Sequence, residues 1–239
     1  MSRAVVMAGA GALGWYGKLP AAGDFVHRRL PRELIAWWDK WLQHGLASLR
    51  ASVLEDQAQR AYAGAPIWNF AIPAGLGTGL VQLGCIGPSR DRVGRSYPLC
   101  VISYLDPAEY TPALLDAAGA FYRQAGAGVM GAVRHGRAPE QLDQLLLNLS
   151  LPRPGPSATP GNDIMDILNA GLGTPAAPSA PTGTGWAELP ACFNPDSHTS
   201  YWWTNQADGA AHHTYVHGGA LNATLFGKLF WPMGAGWRA

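Results

Sequence analysis

Apolar positions along the chain follow two rhythms. From Glu33 onward, Leu34, Trp38, Trp41, Leu42, Leu49 and Val53 recur at three- and four-residue steps, flanked by Ile35 and Leu46. That spacing places them on one stripe of an amphipathic helix, predicted over residues 32–52 with Pro31 at its opening turn. Other runs are short, continuous and rich in β-branched or aromatic residues: 66–73 (PIWNFAIP), 80–87 (LVQLGCIG) and 97–105 (YPLCVISYL). Such runs predict strands that are mostly buried. Residues 12–19 read as a first strand ending in a turn at 20–23, and 200–205 (SYWWTN) and 212–218 (HHTYVHG) as two more. Helical patterns cover 112–135, 139–149, a short stretch at 163–170, and 221–230. Strands that alternate loosely with helices imply an α/β fold, with helices on both faces of a mixed sheet.

Low-complexity segments frame the organisation. Residues 150–185, including "LPRPGPSATPGND" and "GLGTPAAPSAPTGTG", are rich in Pro, Gly and small residues and read as a flexible surface excursion. Residues 1–13 read as an N-terminal tail, leaving 14–239 as a single domain.

Charge narrows the classes of function. Seventeen basic and 16 acidic residues give a net charge of +1, which supplies no field for nucleic acid or an anionic membrane. Charged residues are only 14% of the chain, against about a quarter in ordinary domains. That scarcity fits either a compositional bias or a surface that faces a partner. Cys85, Cys100 and Cys192 have no close spacing, which argues against a disulfide framework or a CxxC zinc site. No apolar run reaches the ~18–20 residues that span a bilayer. The apolar part of the first 13 residues is short and broken by glycine, unlike a signal peptide, so a cytoplasmic protein is expected.

Several chemical motifs fail on context. "GAGALG" (Gly9–Gly14) spells G-x-G-x-x-G, but the apolar run before it is four residues, Ala4–Met7. Pro20 falls where the following helix needs an interior residue, and Glu33 lies at a helix start rather than after a second strand. "GLGTG" (Gly75–Gly79) lacks the Gly-Lys-Ser/Thr of a phosphate loop. Ser89, Ser200 and Cys85 are candidate nucleophiles, with His27, His198, Asp24 and Asp91 as partners, yet none sits in a nucleophile elbow. Asp208, His212, His213 and His217 are candidate metal ligands, but Thr-Tyr-Val between His213 and His217 favours a strand, which puts both on one face at a longer spacing, and a solvated loop explains them better. No cofactor and no metal are expected.

The densest cluster is "SRDRVGR" (Ser89–Arg95). Asp91 stands between Arg90 and Arg92 and is expected to fix the loop through local ion pairs, leaving Arg95 free for a partner. An arginine fork suits carboxylate or phosphate. Gly94 is expected to supply a positive φ. By residue type and spacing, Arg90, Arg92 and Arg95 read equally as a structural loop or as a partner site.

Five ordered blocks carry a family resemblance: "YGKLPAAGDFVHRRLP" (Tyr16–Pro31), "WWDKWLQHGLASLR" (Trp37–Arg50), "APIWNFAIP" (Ala65–Pro73), "GPSRDRVGRSYPL" (Gly87–Leu99) and "SYWWT" (Ser200–Thr204). Together they resemble the TagF family of type VI secretion-associated proteins, and "HGGALNATLFGKLF" resembles its closing segment less sharply. Residues 171–185 depart from the pattern as a variable insertion, and the chain has no room for the phosphatase domain fused to some relatives. The resemblance implies a three-layer α/β/α sandwich. It also implies a cytoplasmic, non-enzymatic accessory protein that restrains secretion after translation by binding a forkhead-associated scaffold component. Lys18, Asp24, Phe25, Arg95 and Trp203, by motif position, and Arg90 and Arg92, from the charged loop, are the expected partner-binding residues. Gly23, Ser89, Asp91, Gly94 and Trp202 are expected to be structural. Alternation along a strand predicts Trp202 and Trp203 as one core and one surface aromatic. The alternative is a small-ligand or phosphate-sensing module built on the Arg90–Arg95 loop.

Overall fold

The computed structural model describes residues 12–52, 55–149, 151 and 183–231. Seven strands are present: β1 (Ala12–Gly17), β2 (Val26–Arg28), β3 (Trp68–Ile72), β4 (Val81–Gly87), β5 (Leu99–Leu105), β6 (Thr199–Asn205) and β7 (Ala211–Gly218). They form one sheet in the order β2-β1-β5-β4-β3-β6-β7. The helices among the described residues are α1 (Arg32–Ser52), α2 (Glu55–Gly64), α3 (Pro112–Ala117), α4 (Gly119–Arg134), α5 (Pro139–Leu147), α6 (Leu189–Cys192) and α7 (Ala223–Phe230).

Every strand pairing is antiparallel, which corrects the expected mixed sheet. The cause is the connections. β3, β4 and β5 follow one another through short loops, and a short loop permits only an antiparallel neighbour. β1 then pairs with the free edge of β5, and β6 with the free edge of β3. β3, β4 and β5 are nonetheless buried at every position, the pattern usually seen in parallel sheets.

That burial follows from alternation. Trp15, Ala71, Leu83, Cys85, Val101 and Trp203 join one apolar cluster, with Phe121, Tyr122 and Leu142 from the helices. Their strand neighbours Tyr16, Phe70, Ile72, Ile86, Ile102 and Trp202 join another, with Trp38, Trp41 and Phe226. Trp202 and Trp203 are both fully buried, so the expectation that one of the pair lies at the surface is corrected. Buried indole N–H groups need acceptors. Trp38 donates to Gln82 Oε1 (2.7 Å), Trp68 to the Leu229 carbonyl (2.8 Å) and Trp203 to the Thr184 carbonyl (3.1 Å).

α1 fills residues 32–52 as its periodicity predicts. The 112–135 pattern breaks at Ala118, whose ψ of 0° ends α3 and opens α4. Two elements escape the pattern. β2 has three residues, too few for an alternation to register. Half of α2 (EDQAQRAYAG) is charged or amide residues, and among its described side chains Ala58 and Tyr62 are the buried ones. Ala12 and Leu13, read as the end of the tail, pair with Tyr104 and Ser103 in β1. The 163–170 helix and most of the 150–185 excursion lie outside the described residues.

Candidate functional site

Two loops meet at one end of the sheet. One is the β1–β2 turn and the other the β4–β5 hairpin loop. Asp91 organises the second. Its backbone N–H donates to the Arg95 carbonyl (3.1 Å), and its own carbonyl accepts from Gly94 N–H (3.0 Å). Gly94 turns the chain at φ 88°, a region that disfavours side chains. Asp91 Oδ1 accepts the N–H groups of Val93 (3.1 Å) and Arg95 (2.9 Å). Asp91 Oδ2 accepts Lys18 Nζ at 3.0 Å and Arg95 Nε at 2.6 Å.

Burial alone would raise the pKa of this carboxyl. The Lys18 ammonium and the Arg95 hydrogen bonds outweigh that effect and hold it well below the usual carboxylate range. The same set welds the two loops. Arg95 Nη2 donates to the Gly23 carbonyl (2.9 Å), Arg92 N–H to the Ala22 carbonyl (2.8 Å), and Ser89 Oγ to the Lys18 carbonyl (2.7 Å).

Above this clamp lies an aromatic shelf. Phe25 is 42% exposed, stacked on Tyr16 at 5.9 Å and edge-on to Tyr97 at 4.7 Å. Lys18 Nζ sits 4.9 Å from the Phe25 ring centroid, a cation–π contact. Beneath, the Tyr16 and Tyr97 hydroxyls donate to Asp39 Oδ1 on α1 at 2.8 and 2.6 Å. Burial and the Asp39 carboxylate push both phenols up, so they remain proton donors. Around the shelf, Asp24 is exposed with Oδ1 accepting the Phe25 N–H (2.8 Å), and Arg92 and Val93 are exposed at the loop tip.

The structure therefore gathers Lys18, Gly23, Asp24, Phe25, Ser89, Asp91, Arg92, Gly94 and Arg95. Several roles change. Asp91 pairs with Lys18 and Arg95 rather than with Arg90 and Arg92. Arg95 is not free, because two of its three guanidinium nitrogens are engaged. Lys18 is buried, which makes it a support and not a contact. Trp203 lies on β6, separated from β1 by three strands, within the core. Arg90 bridges to Ser96 and faces a different cleft. Tyr16, Asp39 and Tyr97 were missed. The available signal was Asp39, an acid set among the tryptophans of the α1 stripe.

The other chemical candidates are held by structure. Ser200 Oγ donates to the His217 carbonyl (3.3 Å) and accepts the Trp202 indole N–H (3.0 Å). Burial pushes the Cys85 thiol up, which keeps it protonated. The His212 and His213 rings lie 3.9 Å apart at a tilt of 46°, and His217 Nε2 lies 3.0 Å from the Ala220 carbonyl. Among the described residues no group of three or more His, Cys, Asp or Glu is placed to hold a metal ion. Gly14, the last glycine of the G-x-G-x-x-G, belongs to β1. A Cβ there would meet the Arg28 carbonyl and Leu30 at 2.6 Å, so close packing explains it.

Residues 14–149, which contain the whole clamp and shelf, match the model of the TagF N-terminal domain, described as type VI secretion system-associated. The chain belongs to the TagF N-terminal domain family. The solved structure of PA0076 from Pseudomonas aeruginosa PAO1, at 2.05 Å resolution, is similar with a TM-score of 0.67 and 28% identity. The similarity covers 95% of this chain and 98% of that one. No curated protein matches the chain. The TagF match ends before β6, β7 and α7. Yet β6 and β7 extend the sheet beyond β3, and α7 packs on α1. No helix among the described residues is long and apolar enough to cross a membrane.

Proposed function

We propose that this TagF-family protein is a cytoplasmic, non-enzymatic negative regulator of type VI secretion that binds a forkhead-associated scaffold component. The observation that carries the reading is the Lys18–Asp91–Arg95 clamp. It makes two loops into one rigid platform that displays Phe25, Asp24, Arg92 and Val93 to solvent. A preorganised platform with an exposed aromatic among charges suits protein recognition, since little ordering remains to be done on binding. The non-enzymatic part is supported by the committed Ser89 and Ser200 hydroxyls and the protonated Cys85 thiol. A three-layer α/β/α sandwich is the arrangement proposed for the fold, supported by strand residues that alternate between two apolar clusters.

Two measurements test this reading. Type VI-dependent secretion is expected to rise when the gene is deleted, and to fall again on complementation. Purified protein is expected to bind the purified scaffold. Unchanged secretion on deletion overturns the repressor role, and absence of direct binding overturns the partner.

A further inference from the structure

Three adjoining clefts run along the C-terminal half of α2. The first, of about 350 Å³, lies between α1, α2 and the tip of the β4–β5 loop, where Leu46, Leu49 and Tyr62 face Val93. The second, of about 260 Å³, shares Tyr62 and Ser96 with it and continues to Pro88 and Val133. The third, of about 360 Å³, shares Pro88 and Val133 and ends at Met130 and Arg134 on α4. Shared walls make the three one interrupted groove with an apolar floor. Val93 is 69% and Met130 42% exposed, so its two ends carry large apolar side chains in water.

The rim is basic. Arg50 and Arg95 line the first cleft, Arg90 the second and Arg134 the third, and none of the described residues lining the three is an acid. Arg95 is held by Asp91, whereas Arg50, Arg90 and Arg134 have no ion pair with any described residue. In a chain with only 17 basic residues and a net charge of +1, this is a local concentration of one sign. Guanidinium groups with no ion pair to a described residue, beside apolar hollows, match a partner that offers carboxylates next to apolar side chains.

We propose that this groove docks an acidic amphipathic segment of a partner protein, its apolar side chains in the clefts and its carboxylates on Arg50, Arg90 and Arg134. The inference goes beyond the regulatory reading and does not depend on the identity of that partner. It concerns the α1–α2 flank of the hairpin loop, which shares Val93 with the platform, whereas the Phe25 shelf lies on the β1–β2 side.

The test is a phage-displayed library of random 16-residue peptides selected on the folded full-length chain, followed by fluorescence anisotropy with synthetic copies of the selected peptides. Enrichment in Asp and Glu beside Leu, Ile or Phe is expected. Arg90→Glu combined with Arg134→Glu is expected to weaken binding by roughly 10-fold or more. Val93→Glu is expected to weaken it too, while Arg32→Glu at the far end of α1 leaves it unchanged. Thermal melts verify that each variant is folded, and added salt on the wild type gives the electrostatic arm should the double variant fail to fold. Three results overturn the proposal: no selected binders, binders without acidic enrichment, or acidic binders indifferent to both the arginine changes and salt. A concentration-dependent dimer abolished by Val93→Glu, seen in sedimentation, also overturns it, because a second copy then occupies the groove. Loss of scaffold binding in Phe25→Ala with peptide binding retained separates the two surfaces.

Discussion

Lys18 and Asp91 lie 73 residues apart in sequence and form a 3.0 Å ion pair with both side chains almost wholly buried. Removing one member of such a pair leaves the other charge without its partner. The pair is therefore less a source of stability than a lock on geometry. It fixes the β1–β2 turn against the β4–β5 loop and sets where Phe25, Arg92 and Val93 stand.

Asp91→Asn is expected to lower stability by about 2 kcal/mol through weakened hydrogen bonds and an uncompensated Lys18. The pH dependence gives the sharper check. The Asp91 pKa is depressed in the folded state, so its contribution is fully present above the unfolded carboxylate value of about 4. It is lost as pH falls below that value toward the folded pKa. Urea melts of the wild type at descending pH are expected to show an acid loss that Asp91→Asn lacks in part. Identical acid limbs would remove Asp91 from the account.

Phe25→Ala and Arg92→Glu are expected to leave the fold nearly intact, since Phe25 is 42% exposed and its ring contacts amount to about 1 kcal/mol. Both are expected to weaken scaffold binding by roughly 10-fold or more. Calorimetric titration against the purified scaffold decides, and full affinity in both variants would move the contact elsewhere.

The alkaline limb is expected to be steep. Tyr16, Tyr62, Tyr97 and Tyr122 all have pKa values raised by burial in the folded state. Their unfolded value is about 10. Above it the unfolded chain loses protons that the folded chain keeps, so stability falls as pH rises. Tyrosinate absorbance near 295 nm is expected to grow together with unfolding. Titration of most tyrosines before loss of structure would contradict their burial.

Two glycines test packing against propensity. In an open helix position Gly→Ala is expected to stabilise by about 0.5–1 kcal/mol, and Gly227 in α7 has nothing within 4 Å of an added Cβ. Gly45 in α1 would place that Cβ 2.2 Å from the Phe226 ring. Gly45→Ala is expected to destabilise by about 1–3 kcal/mol through overpacking. Opposite signs in thermal melts confirm that α1 and α7 meet at Gly45, and equal signs refute it.

Legibility tracked how local the signal was. α1 follows from its stripe, and β3 to β5 from their apolar runs, because each pattern is written within its own segment. Asp91 and Gly94 could be singled out as the residues that close a loop. The site could not be assembled, because Lys18 and Gly23 reach Asp91 and Arg95 through the pairing of β1 with β5, and Asp39 reaches Tyr97 through the packing of α1 on the sheet. Arg95 looks free in sequence because Arg90 and Arg92 stand nearer to Asp91, and because its second acceptor, the Gly23 carbonyl on the other loop, is backbone that no side-chain pattern records.

What the chain determines by itself is thus the stock of elements, the apolar identity of their faces and the family motifs, all consequences of residue type at short spacing. What tertiary structure alone decides is the antiparallel order of the strands, the burial of Trp203 and the exposure of Phe25. Those depend on which surfaces meet, and desolvation is a property of the meeting surfaces rather than of either segment alone.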